Sequence, residues 1–296
     1  MPLAPPPPLG TPMLPADSFA GKTVLITGGG TGVGLAMALE LSRAGAAIGI
    51  LSRDEEHRRR GVEAIAASGG KAAHAFGELR DPATITAAFD EIEQQLGPVS
   101  ILINNAAANF PVLASNTSAN AMHAVLSIVL EGSFSCAREL HARVTSRGAD
   151  GVILNILATQ AFTGGPGMAH ASAAKAGLEN LTKSLAVEWA PEGIRVVGLA
   201  PGLFHHDDMR EDLKALRKTG ADVDARRQPA MRSGQIHELA YAATWLCSPY
   251  ASFITGHTLI VDGANHLRRN FVMPEFVPIA EQLGEVLRDK PEEPAG

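Results

Sequence analysis

Cysteine is scarce. Only two occur in 296 residues, Cys136 and Cys247, and they lie far apart and match no metal-binding or redox spacing. A disulfide scaffold or zinc module is therefore excluded as the basis of the fold. Both fall in apolar, helix-like surroundings, so buried structural thiols in a reducing compartment are expected. Long apolar runs are also missing; none approaches the roughly 18 residues a membrane span needs. The opening MPLAPPPPLGTPMLP has neither the basic start nor the continuous apolar stretch of a secretory signal. The closing Glu-Pro-Ala-Gly is no lipidation or peroxisomal address, and a cytoplasmic protein is the expectation. Positive charge is not in excess either. A formal net charge of −6 offers no footprint for nucleic acid. The one basic run, His57-Arg58-Arg59-Arg60, is flanked by Asp54, Glu55 and Glu56 and reads as a solvated helix face.

What is present is an ordinary globular apolar share of 46%, arranged in alternating blocks. KTVLIT, AAIGIL, AAHAF, SILIN, GVILNI, IRVVGLA and HTLIVDG are short, nearly all-apolar runs that suit parallel strands covered on both faces. Between them, residues 33–44, 55–68, 82–96, 118–146, 170–190 and 235–247 follow a helical period. This alternation predicts a doubly wound parallel α/β sheet in a single domain. Its ligands would lie beyond the carboxyl ends of the strands. Residues 1–18 read as a Pro-rich flexible arm, 19–267 as the domain, and 268–296 as an irregular tail. No internal repeat and no Pro/Gly-rich linker interrupts the domain.

The first strand runs directly into TGGGTGVG, Thr27 to Gly34. Glycines at such a turn let backbone N–H groups approach a pyrophosphate at the N-terminus of the next helix. The second strand ends ILSRDE, where an acidic residue would bind an adenosine ribose. Ser52 and Arg53 stand there instead, and a guanidinium suits a 2′-phosphate. NADPH is therefore favoured over NADH, with Asp54 left to cap the next helix.

The TGxxxGxG spacing resembles that of short-chain dehydrogenases/reductases. Asn104-Asn105-Ala106-Ala107 after the fourth strand, Asn155 ending the fifth, Lys175 on the next helix and Pro201-Gly202 after the sixth recur in that family's order. The resemblance spans residues 19–263 and implies a Rossmann-like, doubly wound parallel sheet of about seven strands and an NAD(P) cofactor. It places Thr27, Gly28, Gly30, Thr31, Gly32, Val33 and Gly34 at the phosphates, and Ser52, Arg53, Glu78 and Leu79 near the adenosine. Asn105, Ala106, Ala107, Lys175, Pro201 and Gly202 complete the cofactor contacts.

The family's usual proton donor is a tyrosine four residues before the lysine, and Ala171 stands there. Ala158 occupies the usual serine position and Val129 the usual asparagine position. Carbinol–ketone chemistry needs a general acid within reach of the oxygen, so that chemistry does not fit. NNAAANF (Asn104 to Phe110), HASAAK (His170 to Lys175), AVEWAPEGIRV (Ala186 to Val196) and SPYASFITG (Ser248 to Gly256) resemble the peroxisomal-type 2,4-dienoyl-CoA reductases. Those enzymes also lack the tyrosine. That branch implies an NADPH-dependent reductase of an unsaturated acyl-CoA. Charge runs to the thioester oxygen, which needs preorganised donors more than a strong acid. The resemblance makes Asn109 the donor to that oxygen and Lys175 the ribose ligand. It leaves Asn109 as a loop-stabilising residue as the alternative.

Such enzymes are expected to carry Asp where Val129 stands. Glu131 points away on a regular helix, and the amide of Gln160 is no acid. His170, with an ordinary pKa near 6.5, is the nearest titratable candidate for the proton; a purely supporting histidine is the other reading. Phe110, Gln160, Leu203 and Phe204 are candidate substrate contacts. In LFHHDDMRED, His205, His206, Asp207 and Asp208 read as a polar lid or helix cap, and no metal is expected. Arg226, Arg227 and Arg232 are candidates for CoA phosphates. Helices 118–146 and 170–190 pair between subunits in the family, implying a homotetramer or homodimer. Two other readings stay open: a catalytically impaired dinucleotide-binding subunit partnering an active paralogue, and a repurposed scaffold acting on another substrate.

Overall fold

Seven strands pair in parallel in the order β3-β2-β1-β4-β5-β6-β7. They are β1 (Thr23–Thr27), β2 (Ala47–Ser52), β3 (Ala72–Phe76), β4 (Val99–Asn104), β5 (Gly151–Ile156), β6 (Ile194–Pro201) and β7 (Thr258–Val261). The computed structural model describes residues 2–205, 208, 228–268 and 277–284. Side chains alternate along each strand, and both faces are covered. Val24, Ile26, Ile48, Ile50, Ile103 and Leu154 enter one apolar layer. Leu25, Leu51, Leu102, Ile153 and Val196 enter the other. The first layer is closed by α1 (Gly32–Arg43), α2 (Glu55–Ala67) and α8 (Ile236–Cys247), through Met37, Leu41, Ile65, Leu239 and Leu246. The second is closed by α3 (Pro82–Leu96), α5 (Gly132–Ser146) and α7 (Ala169–Trp189), through Phe89, Ile92, Leu140, Leu185 and Trp189. Burial on both faces is why these strands lack polar alternation.

Local signals set the helix starts. Asp54 accepts from the His57 N–H at 2.8 Å, and Asp81 caps α3 ahead of Pro82. Cys136 and Cys247 are buried in the two layers, and burial pushes both thiols up to about 12, leaving them unreactive.

The helix expected over 118–146 is interrupted. It is α4 (Ala119–Leu126), a π-helical turn (Ser127–Glu131) and then α5. The wider turn puts Val129 in the core and leaves Glu131 exposed; such turns recur at functional sites. Two short helices were not anticipated, α6 (Gln160–Thr163) after β5 and α9 (Ile279–Leu283) in the tail. A Cβ on Gly167 would meet Leu283 at 3.1 Å, so the tail returns to the start of α7. The Pro-rich arm, expected to be mobile, is seated along α8 through several hydrogen bonds. No helix among the described residues is long and apolar enough to cross a membrane.

Candidate active site

The strand order reverses between β1 and β4, which opens a crevice at their carboxyl ends. Thr27 ties its two sides together. Its Oγ1 accepts from the N–H groups of Asn105 (2.9 Å) and Ala106 (3.0 Å). Asn105 returns its side-chain amide to the carbonyls of Thr27 (3.0 Å) and Gly28 (3.2 Å). A Cβ on Gly34 would collide with the Gly28 carbonyl and come within 2.7 Å of Asn105 Nδ2; one on Gly30 would strike the His57 carbonyl on α2. Only glycine fits at these two approaches.

An anion already sits at this turn. The Gly32 N–H, at the start of α1, donates to the carboxylate of Asp208 at 2.8 Å, and Arg60 of α2 pairs with the same carboxylate at 2.6 Å. Backbone N–H and helix dipole both favour negative charge there. Thr31 and Val33 flank this contact in sequence. The turn, with an internal carboxylate standing where a phosphate would, fits a dinucleotide.

At the carboxyl ends of β2 and β3, Arg53 pairs with Glu78 at 3.1 Å, and Arg80 does so at 2.7 Å. The Arg80 hydrogen bond, with help from Arg53, holds the Glu78 carboxyl down at about 2. Ser52 is half-buried, and Leu79 is buried against Gly132 of α5. The basic run departs from its reading as a solvated face. Arg59 and Arg60 are exposed, but Arg58 shares the inward side of α2 with Gly61 and Ile65 and is buried. It donates to the carbonyls of Ser52 (2.6 Å) and Arg53 (2.9 Å) and lies over the Phe76 ring at 5.8 Å. The i, i+3, i+7 spacing of these three residues was the available signal.

Beneath the crevice runs a buried polar ladder. Asn104 of β4 donates to Asn155 of β5 at 2.9 Å, and Asn155 donates to Thr182 of α7 at 2.9 Å. Next to it, Lys175 is 7% exposed and donates to the Ile156 carbonyl at the end of β5. Burial brings its ammonium down to about 8. One turn earlier, His170 is fully buried and stacks on Phe110 with ring centroids 4.5 Å apart. Neither of its ring nitrogens has a hydrogen-bond partner among the described residues. Burial lowers its pKa, so it is neutral at pH 7.

Two of the three apolar positions at the expected polar sites share one environment. Val129 and Ala171 meet in one apolar cluster with Val125, Leu157, Ala174 and Leu178, and Phe110 and Met168 close it. Ala158 is half-buried at the exit of β5. Asn109 is half-buried between Ala108 and Phe110 on the loop after β4, which also carries the exposed Ala107. Gln160 begins α6, and Pro201, Gly202 and Leu203 form the half-buried exit of β6. Phe204, expected against substrate, instead packs in the α8-side core, its ring against Gly234. An aromatic residue fills the space glycine leaves there. Arg232 is paired with Glu238 at 2.7 Å. His206, Asp207, Arg226 and Arg227 lie outside the described residues.

Residues 28–266 match the family model described as Enoyl-(Acyl carrier protein) reductase. The chain belongs to the short-chain dehydrogenase/reductase family and is an oxidoreductase of the class that binds a nicotinamide dinucleotide. Among its relatives is the peroxisomal 2,4-dienoyl-CoA reductase [(3E)-enoyl-CoA-producing] of Mus musculus, 36% identical over 84% of this chain and 85% of that protein. A probable 2,4-dienoyl-CoA reductase [(2E)-enoyl-CoA-producing] of Bacillus subtilis is 35% identical over 83% and 97%. Among solved structures, a gluconate 5-dehydrogenase of Burkholderia cenocepacia in complex with NADP and tartrate superposes with a TM-score of 0.78. It is 35% identical and covers 86% of this chain and 99% of its own.

Proposed function

We propose that this protein is an NADPH-dependent reductase of a 2,4-dienoyl thioester, with an acyl-CoA as substrate. The observation that carries this reading is the shared apolar cluster of Val129 and Ala171 beside Lys175 and His170. A site without an acid at that place is unsuited to protonating a carbonyl oxygen as it is reduced. It is compatible with adding hydride to a conjugated carbon, where the charge spreads to the thioester oxygen and is met by fixed donors. The names of the mouse and Bacillus relatives support the same substrate class.

When bound, the dinucleotide supplies the hydride. Gly32, Gly34 and their neighbours would hold its phosphates. Ser52 and Arg53, braced by Arg58 through its bonds to their carbonyls, would receive the adenosine end. Lys175 would hold the nicotinamide ribose. Asn109 would donate to the thioester oxygen. A neutral His170, with one ring nitrogen able to donate and the other to accept, would give its N–H proton to the dienolate carbon as the other nitrogen takes up a replacement proton from solvent water. Exposed Val187 and Phe253 suit pairing of copies into a homodimer or homotetramer.

The test is spectrophotometric. NADPH absorbance should fall on adding a 2,4-dienoyl-CoA and not on adding a simple ketone. No consumption together with no binding of acyl-CoA would remove this reading. A second reading, a dinucleotide-binding subunit without turnover, is favoured by the joint apolar character of positions 129, 158 and 171. NADPH binding without turnover of any enoyl or carbonyl substrate would select it.

Asp208 yields a further prediction. Its carboxylate competes with phosphate for the Gly32 N–H and Arg60. Asp208→Asn should therefore tighten NADPH binding roughly fivefold, the scale of one hydrogen bond's net worth, as read by calorimetry. Weaker binding would mean that the carboxylate supports the site.

A further inference from the structure

The arm is bound by one N–H at Leu3 and otherwise through its carbonyls. Leu3 donates its N–H to the Ala230 carbonyl at 3.0 Å. Arg232 donates to the carbonyls of Leu3 (3.2 Å) and Ala4 (3.0 Å) while its guanidinium also grips Glu238 on the first turn of α8. On the same turn, His237 Nε2 lies 3.2 Å from the Pro7 carbonyl. Tyr241 donates to the carbonyls of Thr11 (3.3 Å) and Pro8 (3.4 Å), and its ring meets His237 edge-on at 5.6 Å.

This pattern has a physical logic. Pro5, Pro6, Pro7 and Pro8 have no N–H groups, so a surface can read their backbone only through carbonyl oxygens. The seat accordingly offers donors: a guanidinium, an imidazole and a phenol. Prolines also restrict the free segment, so less entropy is lost on docking. The far side of the seat touches the exit of β6. Leu3 borders a cavity of about 170 Å³ with Phe204, Ala230 and Asp262. There Gly234 donates its N–H to the Leu203 carbonyl at 3.2 Å.

We propose that this face of α8 is a polyproline-binding seat whose occupant is the chain's own N-terminal segment. The docked segment acts as a strap that holds the Leu203–Gly234 contact at the exit of β6. This goes beyond the reductase reading and does not depend on its substrate.

The test uses the full chain with Pro5→Gly, Pro6→Ser, Pro7→Gly and Pro8→Ser, which leaves the seat intact. Limited proteolysis within residues 2–15 should accelerate at least fivefold, and the Gly234 amide should exchange faster with solvent. Tyr241→Phe, which removes only the hydroxyl donor, should change both in the same direction by a smaller amount. In a chain lacking residues 2–11, a labelled synthetic peptide of residues 1–15 should bind and restore Gly234 protection, whereas the intact chain should not take up the peptide. NADPH binding, followed by fluorescence, should stay unchanged throughout. Unaltered proteolysis and exchange in the proline variant would overturn the proposal. Equal peptide binding by the intact chain would do so as well, as would cross-links showing the arm seated on a second copy.

Discussion

Lys175→Met is expected to lower kcat/KM for the dienoyl thioester by at least about two orders of magnitude, the scale set by misplacing a reacting group. The same substitution should remove a pH dependence of folding. Lys175 is almost fully buried, and its only described partner is the Ile156 carbonyl. Burial disfavours the charged form and brings the folded pKa from 10.5 to about 8. Between those two values the unfolded chain holds a proton that the folded chain has released, so stability rises with pH across that window. Below about 8 the cost of the buried charge is present in full, about 3 kcal/mol by linkage. Methionine has similar length and no charge. The variant should therefore be more stable than the parent at pH 7, and its urea midpoint should no longer climb from pH 8 to 10. Greater stability combined with lost turnover would mark Lys175 as retained for the reaction. Unchanged kinetics would sink its assignment to the ribose.

Asn109→Ala carries the second large effect. Loss of one preorganised donor to a developing oxyanion costs about 10²–10³-fold in kcat, and KM should move far less. The loop supplies the preorganisation. Phe110 stacks on His170, which is itself fixed in the first turn of α7, so the neighbouring Asn109 is held by an aromatic anchor. Thermal unfolding should be nearly unchanged if the side chain acts on substrate. A fallen melting temperature with kcat intact would instead assign Asn109 to stabilising the loop.

Much of the frame is legible in the sequence. The parallel strands announced themselves as all-apolar runs because both of their faces are covered, and Asp54 and Asp81 marked helix starts by capping chemistry that acts within a few residues. The π-turn at Ser127–Glu131 was not legible, because its hydrogen bonds shift by one residue without any glycine or proline to signal it. Arg58 was misjudged because a charged run hides the one member that the helical period turns inward. Phe204 was misplaced because the space it fills is left by Gly234, 30 residues on in the chain.

The sequence by itself determined the sheet, the glycine turn at its switch point, and the absence of polar groups at Val129, Ala158 and Ala171. These follow from residue type and spacing over a few turns of chain. Only the tertiary structure decided that Val129 and Ala171 meet in one cluster, that Asp208 reaches the Gly32 N–H, and that the proline arm lies on α8. Each of those contacts joins residues more than 40 positions apart. Periodicity and capping act locally, so the partners are chosen by how the layers close over the sheet.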